Sequence, residues 1–182
     1  MRWLDRVLQR WRIDKAIAHV RPGDRLLDVG CHEGELIERV AARVATATGV
    51  DPVARPREEA RLHILRGVFP GELDFAPGSF DCITALAVLE HVPDPAGFAR
   101  ACAAALAPGG RIVITVPHAA VDRILELLIA LRLVDGMAHE EHHGFEAAST
   151  QALFESAGLG LVLCQRFQLG LNGLYVFAKP RS

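Results

Sequence analysis

The chain is poor in the features that would place it outside the ordinary run of compact globular proteins. Its 4 cysteines among 182 residues stand at Cys31, Cys82, Cys102 and Cys164, scattered and without a CxxC pair. That leaves no redox or metal-type cysteine spacing, and the four read as reduced, mostly buried thiols of a cytoplasmic protein. A strong charge of one sign is also missing: the net charge is −2 and the pI is near 6.4, so nothing pulls the chain as a whole toward nucleic acid. No run of roughly 18 apolar residues is available to span a bilayer, and no secretory h-region opens the sequence. Internal repeats and low-complexity tracts are absent. What remains is a length suited to one compact domain with a sizeable core.

Against that background residues 25–34, Arg-Leu-Leu-Asp-Val-Gly-Cys-His-Glu-Gly, stand out. An apolar run ends in an acid, a turn with Gly30 and Gly34 follows, and apolar residues at helical spacing come next. This reads as a buried strand, a tight turn and the start of a helix. Glycines let a ligand approach the backbone closely, and a helix start offers N–H groups to it. One strand–helix–strand unit later, Thr48-Gly49-Val50-Asp51 repeats the apolar-to-acid step, and a carboxylate there suits the vicinal hydroxyls of a ribose. A nicotinamide fingerprint needs glycine at the third and sixth positions of the turn, where His32 and Glu35 stand. A phosphate loop needs Gly-Lys-Ser or Gly-Lys-Thr, which does not follow.

The set Asp28, Gly30, Gly34 and Asp51 resembles the first motifs of class I S-adenosylmethionine-dependent methyltransferases, departing at His32, where the common form has glycine. Two further stretches fit in family order: 78–85 with Leu89-Glu90-His91-Val92-Pro93-Asp94-Pro95 is similar to the fourth strand and its loop, and 106–114 to a helix–turn–fifth-strand signature. The match covers 25–117 closely and 148–180 more loosely. It implies a Rossmann-like, doubly wound α/β fold with a mostly parallel seven-stranded sheet, an antiparallel C-terminal hairpin strand and a helical lid insertion.

The residues give the same layout. A helix is expected over 3–19, with Trp3, Leu4, Val7, Leu8 and Trp11 on one stripe and Arg2, Arg6, Arg10, Arg12 and Lys15 elsewhere; its bland role is core packing, and a membrane-surface or homodimer role stays open. Strands are expected at 25–29, 46–51, 62–66, 80–86 and 111–116, with helices at 34–43 and 96–106, the latter ended by Pro108-Gly109-Gly110. Pro52 and Pro56 predict a very short second helix. An edge hairpin is expected at 161–167 and 174–178, turned at 170–173. The resemblance implies that the whole, 1–182, is one methyltransferase domain: N-terminal helix 1–22, cofactor-binding core 23–117, lid or acceptor insertion 118–147, and C-terminal helix and hairpin 148–182. The insertion carries an apolar helix at 121–134 and the cluster His139, Glu140, Glu141, His142 and His143, which reads first as a solvated loop and only then as acceptor contacts or a metal site.

The resemblance implies S-adenosyl-L-methionine as cofactor and assigns the pocket. Asp28, Gly30, Cys31, His32 and Gly34 would shape its methionine end; Asp51 would hold the ribose and Pro52 border the adenine. Val68 and Phe69 stand where many members carry an acid, Leu86 and Ala87 line the far side, and His91 faces the pocket. No metal ligand set is expected. Methyl transfer from a sulfonium is an in-line displacement, so positioning and exclusion of water carry most of the catalysis. A protonated nucleophile needs a base, and His118 and His142 are the catalytic candidates. Ala85-Leu86-Ala87-Val88 stands where N-methyltransferases of amino and nucleic acids carry Asn-Pro-Pro-Tyr. The expected reaction is therefore oxygen or carbon methylation of a small-molecule acceptor, without nucleic acid and without an integral membrane segment. A cofactor-binding module serving as partner subunit is the alternative.

Overall fold

The computed structural model describes residues 3–117 and 149–181. Helix α1 (Trp3–Ile17) leads into strand β1 (Arg25–Val29), helix α2 (Glu35–Val40) and β2 (Thr46–Asp51). Strands β3 (Arg57–Glu58), β4 (Leu62–Arg66) and β5 (Phe80–Leu86) follow, then a 3-10 turn (Leu89–His91), α3 (Pro95–Ala105) and β6 (Leu106–Pro117). Helix α4 (Ser149–Ser156), β7 (Gly160–Phe167) and β8 (Asn172–Ala178) complete the described elements.

The strands form one sheet in the order β3-β4-β2-β1-β5-β6-β8-β7. The run β4-β2-β1-β5-β6 is parallel, and β3, β8 and β7 join antiparallel. Parallel strands covered on both faces read as continuous apolar runs, and neighbouring residues of one strand serve opposite cores. Leu27, Ile83 and Ile112 pack with Phe98, Phe154 and Phe177 under α3 and α4. Leu26, Cys82 and Val113 pack with Ile13, Ile37 and Val40 under α1 and α2. At the end of the sheet where β1 and β5 begin, Arg25 closes a two-pronged ion pair on Asp81, both contacts at 3.0 Å. The buried Arg111 guanidinium there pairs with Asp24 and donates from Nε to the His19 carbonyl at 2.6 Å. These contacts fix one end of the sheet and leave the other for a ligand.

The structure corrects several boundaries. The sheet has eight strands rather than seven, because β3 adds a two-residue antiparallel edge to β4. The short second helix is not formed: residues 52–61 contain no helix. Prolines at 52 and 56 bias the residues before them away from the helical region. The Asp51 carboxylate accepts the Val53 N–H at 2.9 Å, closing a turn instead. Arg57 then anchors β3 through Glu38 and Glu59. With no helix over this part of the sheet, a cavity of about 350 Å³ opens among His32, Glu33, Val53, Arg55, Arg57 and Ile64. Pro108-Gly109-Gly110 does not end α3, which stops at Ala105 one turn earlier; it lies inside β6, where Gly109 donates to Lys179 and Lys179 to Gly110. The hairpin turns at 168–171, and Asn172 and Gly173 already belong to β8. Among the described residues no helix is long and apolar enough to cross a membrane.

Candidate active site

Three neighbouring parallel strands, β2, β1 and β5, end side by side, and the loops after them form a crevice. The turn after β1 is clamped onto β2: the Gly30 and Cys31 N–H groups both donate to the Val50 carbonyl, at 2.9 and 3.2 Å. Gly30 has φ 74°, and a β-carbon there would stand 2.5 Å from Val88 Cγ2. Gly34 has φ 85°, and a β-carbon there would meet Ile64 Cδ1 at 2.8 Å. Backbone conformation favours glycine at both positions, and at Gly30 the close approach of Val88 adds to it. The residue standing where the family has its middle glycine, His32, takes the left-handed conformation anyway, with φ 49°. Cys31 turns its thiol inward toward Gly49, where burial pushes its pKa up to about 12. It is core packing, and only its backbone borders the crevice.

Asp51 ties the loops together. One carboxylate oxygen accepts the His32 N–H at 3.0 Å and the other accepts the Val53 N–H at 2.9 Å. Each oxygen keeps lone-pair capacity for another donor, so the group is oriented and still able to take vicinal hydroxyls. Asp28 stands one strand away, beside Thr84 in the β1–β5 register, and accepts the Thr84 hydroxyl at 2.6 Å. Burial pushes its pKa up to about 7; the Thr84 bond works against that shift and the Asp51 charge adds to it. A cation placed between these two acids would restore Asp28 to its ionised form.

The rim beyond Asp51 is open and exposes apolar side chains beside the Arg66 guanidinium, which donates to the Pro52 carbonyl at 3.1 Å. Pro52 is exposed, and Val53 and Val68 are 69% and 45% exposed. Phe69, expected to touch the ligand, instead sends its ring into the core, 5.6 Å from Phe75 and 6.3 Å from Phe98. Glu72 is a carboxylate that the sequence reading missed: it accepts the Val68 N–H at 3.1 Å, so an acid does reach this rim, from four residues further on. Leu86 ends β5 and Ala87 follows it, both half-buried, and His91 comes next on the 3-10 turn, exposed. Thr84, Val88 and Thr115 also shape the crevice and were not foreseen; Thr84 and Thr115 are buried in β5 and β6, Val88 is half-buried in the loop after β5, and only the pairing of the strands reveals what they touch. His118 and His142, together with His139 and His143, lie outside the described residues, as does the lid insertion.

S-adenosylmethionine fits what these residues offer: a bare backbone at Gly30, the Asp51 carboxylate with free lone pairs for a ribose, Asp28 for a positively charged methionine end and exposed apolar side chains for a purine. The comparisons agree. Residues 2–163 match the family described as a methyltransferase domain. The chain is 34% identical over 154 residues to a ubiquinone biosynthesis O-methyltransferase of Stutzerimonas stutzeri, covering 76% of this chain and 66% of that one. It is 34% identical over 172 residues to the enzyme of that name from Nitrosococcus oceani, covering 81% and 72%. The structure resembles an S-adenosylmethionine-dependent methyltransferase from Mesorhizobium loti, with a TM-score of 0.72, 16% identity and coverage of 91% and 96%. It also resembles the cyclase SpnF, with a TM-score of 0.70, 15% identity and coverage of 96% and 80%. The fold is that of a class I S-adenosylmethionine-dependent methyltransferase. The chain belongs to the methyltransferase-domain family, and it spans about half to three-quarters of the length of such curated relatives.

Two outcomes follow from this geometry. Because residue 32 needs a left-handed backbone, His32→Gly should be at least as stable as the parent, and His32→Val should fall below the glycine variant by about 2 kcal/mol in denaturant unfolding. Equal stabilities would mean that the turn relaxes. Asp28 yields a pH signature. The unfolded chain loses this proton near 3.8 and the folded chain near 7, so its ionisation costs stability progressively across that window and the full cost stands above it. Asp28→Asn should therefore be more stable than the parent above pH 7, with the advantage shrinking as the pH falls toward 4. A constant difference across that window would contradict the assignment.

Proposed function

We propose that this chain methylates an oxygen of a small, mainly apolar acceptor such as a phenol, with S-adenosylmethionine as donor. The observation that carries the reading is the Asp51 carboxylate, held by two backbone N–H groups at the mouth of a glycine-walled crevice. The names of the curated relatives support oxygen as the acceptor atom and a quinone-type ring as the substrate class. Buried thiols at Cys31, Cys82 and Cys102 support a cytoplasmic setting.

When bound, S-adenosylmethionine supplies a methyl group on a sulfonium whose positive charge vanishes on transfer, so no oxyanion hole is called for. The protein's contribution is then geometric and dielectric. Asp51 orients the ribose, Asp28 faces the cationic end, Val53 and Val68 exclude water from the purine, and the backbone of residues 30–34 sets the depth. Glu72 would meet the purine's exocyclic amine. A phenol must lose its proton as the methyl arrives, and His118, which follows β6 directly, or His142 would take it.

Incubation of the protein with methyl-labelled S-adenosylmethionine and a catechol should give a labelled aryl methyl ether. The Asp51→Ala protein should be slower by about tenfold or more at low donor concentration, the scale of a lost charge-assisted hydrogen bond. Label that appears only on nitrogen, or an Asp51→Ala protein of full activity, would overturn the reading.

A further inference from the structure

Thr115 is fully buried in β6, opposite Leu86 at the end of β5. Its carbonyl accepts the Ala87 N–H at 3.0 Å, which simply continues the parallel ladder. Its hydroxyl oxygen accepts the same N–H at 3.1 Å, and that second acceptor is not part of any ladder. The residue so held is one of the few non-glycine residues with a left-handed backbone, Ala87 at φ 55°, a conformation that alanine disfavours and that persists only where surroundings impose it. Directly after it, Val88 places Cγ2 in the space that a side chain at Gly30 would need. Thr115, Ala87, Val88 and Gly30 thus form a chain of contacts from the sheet interior to the glycine turn.

We propose that Thr115 is a positioning residue for the cofactor crevice: its hydroxyl holds Ala87 in the left-handed turn that seats Val88 against Gly30, and so fixes the width between the loops after β1 and β5. The inference rests on the cofactor reading above. Without the hydroxyl the ladder bond remains, but the turn loses the second acceptor that favours it, and Val88 is free to drift from the glycine wall. The cost then falls on ligand affinity rather than on the core, because valine fills the same β-branched space in the strand.

Calorimetric titration with S-adenosylhomocysteine separates the possibilities. Thr115→Val should raise Kd about fivefold, the scale of one lost hydrogen bond, and Thr115→Ser, which keeps the oxygen, should bind like the parent. Adding Ala87→Gly to Thr115→Val should recover most of the loss, since glycine takes the left-handed turn unaided. Ala87→Val, which leaves Thr115 untouched but opposes the turn, should weaken binding as Thr115→Val does and serves if the latter fails to fold. Parent-like affinity in both valine variants, or a loss that Ala87→Gly does not recover, would overturn the positioning role and leave the cofactor reading standing. Failure of the parent itself to bind would remove both.

Discussion

A single carboxylate holds two loops at the open end of this sheet. Asp51 ends β2, and each of its oxygens accepts one backbone N–H, from His32 in the turn after β1 and from Val53 in its own loop. Those loops come from adjacent parallel strands, so the bond is possible because β1 lies beside β2. The same neighbourhood brings Val88 onto Gly30 from the other side. Take away the carboxylate and the glycine turn keeps its bonds to Val50, but it loses the tie that points it at the crevice. The ribose site and the backbone floor of the pocket are therefore one construction rather than two.

The molecule divides its labour along the strand direction. Where β1 and β5 begin, the charges are paired and satisfied: Arg25 on Asp81, Arg111 on Asp24 and the His19 carbonyl. Where they end, the backbone is strained at His32 and Ala87 and a carboxyl group is buried at a cost, its pKa lifted to about 7. Strain and costly burial gather at functional sites because a rigid surround can sustain them there. Here the surround is the pair of cores under α1–α2 and α3–α4. The two acids stay close without collapsing because Thr84 and the backbone N–H groups orient them, which prepares the site for a cationic ligand.

Much of this was legible in the chain. Apolar runs ending in Asp28 and Asp51, with Gly30 and Gly34 between them, located the crevice, because buried parallel strands and glycine turns have strong local signatures. The parts that were not legible depend on pairing. Thr84 and Thr115 look like ordinary strand residues, and Val88 like an ordinary loop residue, until β1, β5 and β6 are set side by side. Phe69 was expected at the pocket because it stands where the resembling family carries an acid, yet an aromatic cluster with Phe75 and Phe98 draws its ring inward. The segment after β2 suggested a clipped helix, but two prolines and the Asp51 turn removed even that. Pro108-Gly109-Gly110 has the composition of a helix stop, and long-range bonds to Lys179 recruited it into a strand.

Fold alone does not define the reaction, since the same architecture is found in the cyclase SpnF; the account stands on the crevice. Its most direct test is a crystal structure of the protein grown with S-adenosylhomocysteine. The account predicts density in the crevice with both ribose hydroxyls on the Asp51 carboxylate and the purine between Val53 and Val68. Ligand bound away from the loops after β1, β2 and β5, or ribose hydroxyls turned away from Asp51, would contradict it.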